Sequence, residues 1–188
     1  MQAQDIRLEE SALVDGCLKG DSRSQEGLYK RYSKLMYSVC CRYARDKDIA
    51  ADILQEGFIR VFHSLESFRK EGSLEGWIRR IIVNTALEHH RKNAGITWIE
   101  EPEDKDFAPV VAEANGSLEA EDLMKLIQNL SPGYRMVFNL YAIEGYNHRE
   151  IAEMLHISEG TSKSQLARAR SLLQQQVEIL FGEKPHAY

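Results

Sequence analysis

Apolar residues recur every three to four positions along most of the chain, the spacing of one face of an α-helix. The first half has three such runs: Leu28, Tyr32, Leu35 and Val39; Ile53, Leu54, Phe58, Val61, Phe62 and Leu65; and Trp77, Ile78, Ile81, Ile82 and Leu87. Residues 8–19 favour a further short helix. No segment alternates apolar and polar residues with the β-branched enrichment of a strand. The pattern predicts an all-α protein whose first block is a three- to four-helix bundle.

The second half continues the helical spacing and ends in two short helices. Its apolar positions are Leu118, Leu123, Leu126, Ile127 and Leu130, then Val137, Leu140 and Tyr141 after a break at residues 131–133. In the sequence NHREIAEMLHI, Asn147 and Glu150 have the spacing of a capping box. Ser158 follows a three-residue break and can cap the next helix. We therefore predict a four-helix domain that contains a helix-turn-helix, with Ala152 at the close helix crossing and Ile157 filling the corner.

An acidic stretch separates the two helical blocks. Residues 94–122 hold 1 basic and 9 acidic groups, together with two prolines and two glycines, and show no sustained helical period. Residues 21–93 hold 14 basic and 10 acidic groups, so the net charge of −5 comes from the middle of the chain. Such composition is typical of a linker. We predict domains at 1–93 and 118–188, joined by an acidic linker at 94–117.

The same composition argues against several classes of protein. The chain has no long apolar segment and no secretion signal, so we expect a cytoplasmic protein without membrane insertion. It has no Gly-rich phosphate loop, nucleophile motif or metal-ligand spacing, which indicates neither an enzyme nor a cofactor. His89 and His90 point about 100° apart on a helix and do not form a metal site. We expect Cys17, Cys40 and Cys41 to be packing residues.

The outward side of the last helix suits DNA. Ser162, Leu166, Ala169 and Leu173 share its inner side, and the opposite side carries Ser164, Ala167, Arg168 and Ser171. A small, polar strip with one Arg can approach base edges and phosphates in a major groove. Lys163 and Arg170 flank it and could reach phosphates. A solvated basic face on a helical hairpin remains the alternative. His156 stands where this motif commonly has Gly, and Ser162 where an apolar residue is typical.

Two stretches together resemble one known family. DILQEGFIRVFHSLESF with EGSLEGWIRRIIVNTALEHHRKN resembles the second region of bacterial RNA polymerase sigma factors, and LSPGYRMVFNLYAIEGYNHREIAEMLHISEGTSKSQLARARSLL resembles their fourth region. With a short linker and no third domain between them, the chain resembles the extracytoplasmic-function (ECF) group. The resemblance covers roughly residues 22–175.

The resemblance implies roles for three sets of residues. For docking on the clamp coiled coil of core RNA polymerase it implies Asp52, Gln55, Glu56 and Arg60. For the minus-ten promoter element it implies Phe68, Arg69, Lys70, Ser73, Trp77, Arg80, Asn84, Arg91 and Lys92. For the minus-thirty-five element it implies Thr161, Lys163, Ser164, Ala167, Arg168 and Ser171. The alternative for each set is an ordinary solvated face, and for Trp77 a place in the core.

The resemblance also implies a function and partners. It implies a subunit without catalytic activity that binds core RNA polymerase and promoter DNA, melts the DNA and directs transcription initiation. It implies further that the acidic linker, including Glu100, Glu101, Glu103 and Asp104, threads a basic channel of polymerase. An anti-sigma factor is an expected partner, and no small-molecule substrate is expected. The alternative function is a helix-turn-helix regulator that acts without polymerase and reads a duplex by itself.

Overall fold

The computed structural model describes residues 2–94 and 120–181, so nearly all of the predicted linker lies outside the described residues. The chain divides into two compact units, Met1–Lys92 and Asn93–Tyr188. Within the described ranges every regular element is helical, which confirms the all-α prediction. The α-helices are α1 (Gln2–Leu18), α2 (Ser22–Tyr43), α3 (Lys47–Ser64), α4 (Leu74–Ala94), α5 (Ala120–Asn129), α6 (Pro132–Phe138), α7 (His148–Leu155) and α8 (Glu159–Phe181).

Aspartates fix the starts of two helices in the first unit. The carboxylate of Asp21 accepts a hydrogen bond of 2.9 Å from the backbone N–H of Ser24, at the start of α2. Asp46 accepts one of 2.9 Å from Ile49 N–H, at the start of α3. Both bonds satisfy a backbone donor that has no partner within its helix. The hydrogen bonds from Ser24 also lower the pKa of the Asp21 carboxyl.

The core of the first unit fills the space between α2, α3 and α4. Met36, Ile53, Ile78 and Ile82 are completely buried there. Gly57 lies where α3 comes closest to α4, and a Cβ at this position would run into Ile82 Cδ1. The absence of a side chain at residue 57 therefore permits the close approach of the two helices.

Helix α1 is longer than the short helix expected at residues 8–19, and it packs on α2. The hydroxyl of Tyr32 donates a 2.6 Å hydrogen bond to Glu10 Oε1, and Arg31 lies 3.2 Å from Glu9 Oε2. Burial and the Glu10 carboxylate raise the pKa of Tyr32. Apolar spacing marked residues 8–19, whereas the helix begins six residues earlier, at Gln2.

The second unit is built around α8. Leu130, Tyr134 and Ala169 form a buried cluster that Phe138, Leu172 and Leu173 flank. Arg135 is only 3% exposed, although it is charged. Its Nη1 donates a 2.7 Å hydrogen bond to Gln128 O in the last turn of α5, which satisfies a carbonyl that the helix leaves open. A π-helical segment, Asn139–Ile143, follows α6 and leads toward α7.

Helices α7 and α8 form the predicted helix-turn-helix. Asn147 Oδ1 accepts from Glu150 N–H at 3.0 Å, and Glu150 Oε2 accepts from Asn147 N–H at 2.8 Å, which is the predicted capping box. His156 ends α7 in the left-handed region with φ of 55°. Ser158 Oγ accepts from Thr161 N–H at 2.9 Å and begins α8. Ala152, Ser162, Leu166 and Ala169 are buried, as the spacing predicts.

The capping box should contribute measurably to the stability of the second unit. Asn147→Ala removes one acceptor at the start of α7, and we expect a loss of about 1 kcal/mol in the free energy of unfolding. Urea unfolding followed by far-UV circular dichroism would measure it. Glu153→Ala is the matched control, because it breaks only an exposed pair with Arg149 on the same helix and should cost less than about 0.5 kcal/mol. Equal losses from both variants would contradict a role for the cap.

The three cysteines, all within the described residues, form no disulfide and differ in their access to solvent. Cys17 and Cys40 are buried and Cys41 is half-buried. Burial, with a smaller contribution from neighbouring Cys41, raises the pKa of Cys40 to about 12, and burial raises the pKa of Cys17. Because the thiolate is the reactive form, we expect iodoacetamide to alkylate Cys41 before the other two in the native protein at about pH 8. Peptide mass spectrometry would give the order, and early alkylation of Cys40 would contradict this assignment.

Candidate nucleic-acid interface

The predicted polymerase-binding residues form one strip along α3, here called the α3 strip: Asp52, Gln55, Glu56 and Arg60. Asp52 and Gln55 are exposed, whereas Glu56 and Arg60 are half-buried. Arg60 Nη2 lies 2.5 Å from Glu56 Oε1, and its Nη1 lies 2.7 Å from Glu88 Oε2 on α4. The strip thus combines two exposed polar side chains, Asp52 and Gln55, with the Glu56 carboxylate, which Arg60 holds in place.

Arg60 differs from the rest of the α3 strip, because its guanidinium connects two helices. Partial burial lowers the pKa of Arg60, but the carboxylates of Glu88 and Glu56 outweigh it, so that the pKa is raised and the group stays charged. Glu88 lies four residues after Asn84 on α4, and its carboxylate turns toward this arginine. An ion pair with about one-third exposure on both sides is less screened than a fully exposed pair. Because the pair with Glu88 holds the Arg60 guanidinium in place, we expect Arg60 in turn to orient the Glu56 carboxylate.

The segment between α3 and α4 carries four of the predicted minus-ten residues, and a fifth, Trp77, follows near the start of α4. Phe68 and Trp77 are half-buried and pack with their ring centroids 5.4 Å apart. Lys70 has a φ of 60° and its Nζ lies 3.2 Å from Asp15 of α1. Arg69 and Ser73 are exposed, and Ser73 Oγ accepts from Gly76 N–H at the start of α4. Trp77 packs on Phe68 and is half-buried, so it is not fully enclosed in the core.

Helix α4 presents a polar stripe, here called the α4 stripe. Arg80, Asn84, Glu88 and Arg91 are spaced by four and three residues, which predicts one outward stripe. Of these Arg80, Asn84 and Arg91 are exposed and Glu88 is half-buried, and the α4 stripe is completed by Lys92, which is also exposed. Lys92 Nζ lies 3.9 Å from Glu56 Oε1 at the edge of the α3 strip. The α3 strip and the α4 stripe therefore lie on neighbouring helices of one unit and meet at Glu56.

Helix α8 presents the outward strip that its sequence predicts, here called the α8 strip. Ser164, Ala167, Arg168 and Ser171 are all exposed. Two further predicted residues are engaged within the helix: the Thr161 hydroxyl lies 2.9 Å from Ser158 Oγ, and Lys163 Nζ lies 3.8 Å from Glu159 in an exposed pair. A surface pair of this kind contributes little, so Lys163 remains able to reach a phosphate.

Sequence reasoning missed a cluster beside the α8 strip. His148 stacks on Tyr141 with centroids 4.6 Å apart, and a hydrogen bond of 2.9 Å joins His148 Nδ1 to Ser162 Oγ. Arg170 Cζ lies 5.5 Å from the centroid of Tyr141. The sequence predicts that Arg170 flanks the strip within reach of phosphates, and the contact with Tyr141 is an addition to that prediction. The one sequence signal was Ser162, a polar residue at a position that is usually apolar.

The described part of the chain contains neither a candidate metal site nor a candidate membrane-spanning helix. In residues 2–94 and 120–181 no group of three or more His, Cys, Asp or Glu side chains could hold a metal ion. No helix in these ranges is both long and apolar enough to cross a membrane.

Comparison with known proteins assigns both units. The family model of sigma-70 region 2 matches residues 28–96, and that of sigma-70 region 4 matches residues 120–173. An ECF RNA polymerase sigma-E factor of Escherichia coli is 30% identical over 93% of this chain and 97% of its own length. A protein of the same description from Haemophilus influenzae is 28% identical over 93% of this chain and 98% of its own.

A solved structure shares the fold. It is the sigma factor RpoE from Bartonella quintana, in complex with the anti-sigma factor NepR, with a TM-score of 0.52, 23% sequence identity, and coverage of 82% of this chain and 96% of that one. Both family models, in this order along the chain, and full-length relatives at this identity show that the chain belongs to the ECF group of RNA polymerase sigma factors.

Proposed function

We propose that the chain binds core RNA polymerase through its first unit and directs promoter recognition, DNA melting and transcription initiation. The first unit contacts polymerase and the minus-ten element, and the second unit contacts the minus-thirty-five element. The observation that carries this proposal is the exposure of Asp52 and Gln55 on the α3 strip, of the α4 stripe and of the α8 strip, within a chain that belongs to the sigma family. The residues implied by the resemblance are thus largely available to partners.

The chemistry of the first unit supports two different partners. Asp52, Gln55 and Glu56 offer carboxylates and an amide to a basic or hydrogen-bonding surface. The α4 stripe offers Arg80, Asn84, Arg91 and Lys92 to DNA: an amide can contact a base edge, and the cations can contact phosphates. Phe68 and Trp77 provide aromatic surface against which an unstacked base can pack. The unit can therefore bind polymerase on one helix and melted DNA on the next.

The second unit supports contact with duplex DNA. Small side chains at Ser164, Ala167 and Ser171 allow α8 to approach the floor of a major groove, and Arg168 adds a charged donor. Since a short linker connects the units, binding of one raises the effective concentration of the other at the promoter. Modest affinity in each unit then gives a stable complex, and the free chain binds promoter DNA weakly.

The remaining partners follow from the same proposal. The chain acts where polymerase acts, in the cytoplasm. An anti-sigma factor is a further proposed partner, as RpoE of Bartonella quintana has one. The linker residues Glu100, Glu101, Glu103 and Asp104 are proposed to lie in a basic channel of polymerase; they fall outside the described residues.

A selection experiment tests the proposal. A random duplex library is mixed with sigma-free core polymerase, with the chain, or with both, and retained DNA is sequenced. We expect enrichment of paired minus-ten-like and minus-thirty-five-like elements only when both proteins are present. Tight binding of a palindromic duplex by the chain alone, with no affinity for core polymerase, would support the regulator alternative instead.

A further inference from the structure

Two side chains of α8, Ser162 and Arg170, contact two aromatic rings of the preceding elements, His148 and Tyr141. His148, the first residue of α7, stacks on Tyr141 with the rings 25° from parallel. Its Nδ1 and Ser162 Oγ form a hydrogen bond of 2.9 Å in which either group can donate. Arg170 lies over the Tyr141 ring with its Cζ 5.5 Å from the centroid. Tyr141 and His148 thus touch α8 at residues 162 and 170.

The two contact points on α8 are widely spaced. Residues 162 and 170 are about 12 Å apart along the helix axis. Core packing through Leu166 and Ala169 holds α8 in the unit, and the two contacts with the rings add directional attachments to this packing. The exposed residues Ser164, Ala167 and Arg168 lie between these two points.

The contact with His148 gives the hydroxyl of Ser162 a hydrogen-bond partner. Ser162 is completely buried, and a buried hydroxyl without a partner is costly. An apolar residue, which is usual at this position of a helix-turn-helix, needs no partner. The chain therefore holds its recognition helix by a directional hydrogen bond at a place where the motif generally relies on packing alone.

The backbone places Tyr141 where His148 can stack on it. Tyr141 belongs to the π-helical segment Asn139–Ile143. The N–H of Tyr146 donates to Leu140 O at 2.9 Å, which closes the turn before the cap of α7. Single π-turns within helical proteins are frequent at functional sites.

We propose that His148 is a positioning residue for promoter reading. Held between Tyr141 and Ser162, it fixes the direction of α8, and so it determines how well the α8 strip discriminates between DNA sequences without touching DNA itself. This inference rests on the proposed function, in which α8 reads the minus-thirty-five element.

The test compares two affinities in reconstituted holoenzyme. One is for a promoter recovered from the library, and the other is for the same duplex with its minus-thirty-five element scrambled. We expect His148→Phe, which keeps a ring for stacking but cannot bond Ser162, to lower the ratio of the two affinities about fivefold to tenfold. Ser162→Ala should do the same, and the double variant should be no worse than either single variant. His148→Asn, whose amide can bond Ser162, should recover most of the ratio.

Controls separate positioning from stability and from the proposed function. Met136→Ala removes a buried side chain in α6 and destabilises the second unit. It should lower the ratio only at temperatures where circular dichroism shows this unit unfolding, whereas the His148 and Ser162 variants should lower it while the unit is fully folded. The inference is overturned if the His148 and Ser162 variants behave like Met136→Ala or like the unmodified protein while Arg168→Ala lowers the ratio. If Arg168→Ala also leaves the ratio unchanged, the reading of DNA by α8 is itself contradicted.

Discussion

Replacing Ile82 with alanine is expected to cost about 2–5 kcal/mol in the free energy of unfolding of the first unit. Ile82 is completely buried on α4, so its removal loses apolar burial and leaves a cavity against α3. Small domains have only about 5–15 kcal/mol of stability in total. In a Trp98→Phe background, Trp77 is the single tryptophan of the chain, and its fluorescence during urea titration reports the unfolding of this unit.

Two comparisons make the test of Ile82 specific. Ile59→Ala makes the same chemical change on α3, where the side chain is 51% exposed, and should cost less than about 1 kcal/mol. Gly57→Ala should cost about 1–3 kcal/mol in the otherwise unmodified chain, because its Cβ meets Ile82. In the Ile82→Ala background the same change should be tolerated, since the space is open. Additive costs of Gly57→Ala and Ile82→Ala would contradict this packing.

Reversing charge at Asp52 and Glu56 together is expected to lower the affinity for core polymerase roughly thirtyfold or more, about 2 kcal/mol. Both carboxylates lie on the α3 strip that is proposed to dock on polymerase. Fluorescence anisotropy of the labelled chain, titrated with sigma-free core enzyme, would measure the change. Asp52→Lys alone is the cleaner variant, because Glu56→Lys also removes the partner of Arg60.

Two further variants show whether this loss is specific. Glu26→Lys makes the same change of charge on α2, where it breaks only an exposed pair with Lys30, and should leave polymerase affinity nearly unchanged. Arg168→Ala should retain polymerase affinity and weaken only the contact with the minus-thirty-five element. Equal loss of both activities from the Asp52, Glu56 and Arg168 variants would contradict the division of labour between the two units.

Sequence reasoning succeeded where a local pattern determines the structure. The helical spacing of apolar residues identified most of the buried positions of α2, α3 and α4, because the period is sustained over several turns. Leu35 is the exception on α2: it fits the spacing but is 40% exposed. The capping box at Asn147 and Glu150 was predictable because its parts are three residues apart and bond only to each other. The exposed α8 strip followed from the same geometry, since residues opposite a buried face must point outward.

Features that depend on contacts between helices could not be predicted. From the sequence alone Arg135 is expected to be exposed, as charged residues usually are. Its burial follows from the position of the α5 terminus, whose Gln128 carbonyl it caps. The bond between Arg60 and Glu88 joins residues 28 positions apart on two helices. His148 and Ser162 meet only because the π-helical segment and the turn at His156 bring α7 and α8 together. In each case the relevant partner is distant in sequence, and helical spacing gives no information about it.

Initiation of transcription from defined components tests the central claim most directly. Sigma-free core polymerase is incubated with a library-selected promoter and nucleotides, with and without the chain, and the RNA products are sequenced from their 5′ ends. The account predicts transcripts that begin at one fixed site downstream of the two elements, and only when the chain is present. Transcripts that do not depend on the chain, or none at all from a chain that binds the duplex tightly without polymerase, would contradict it.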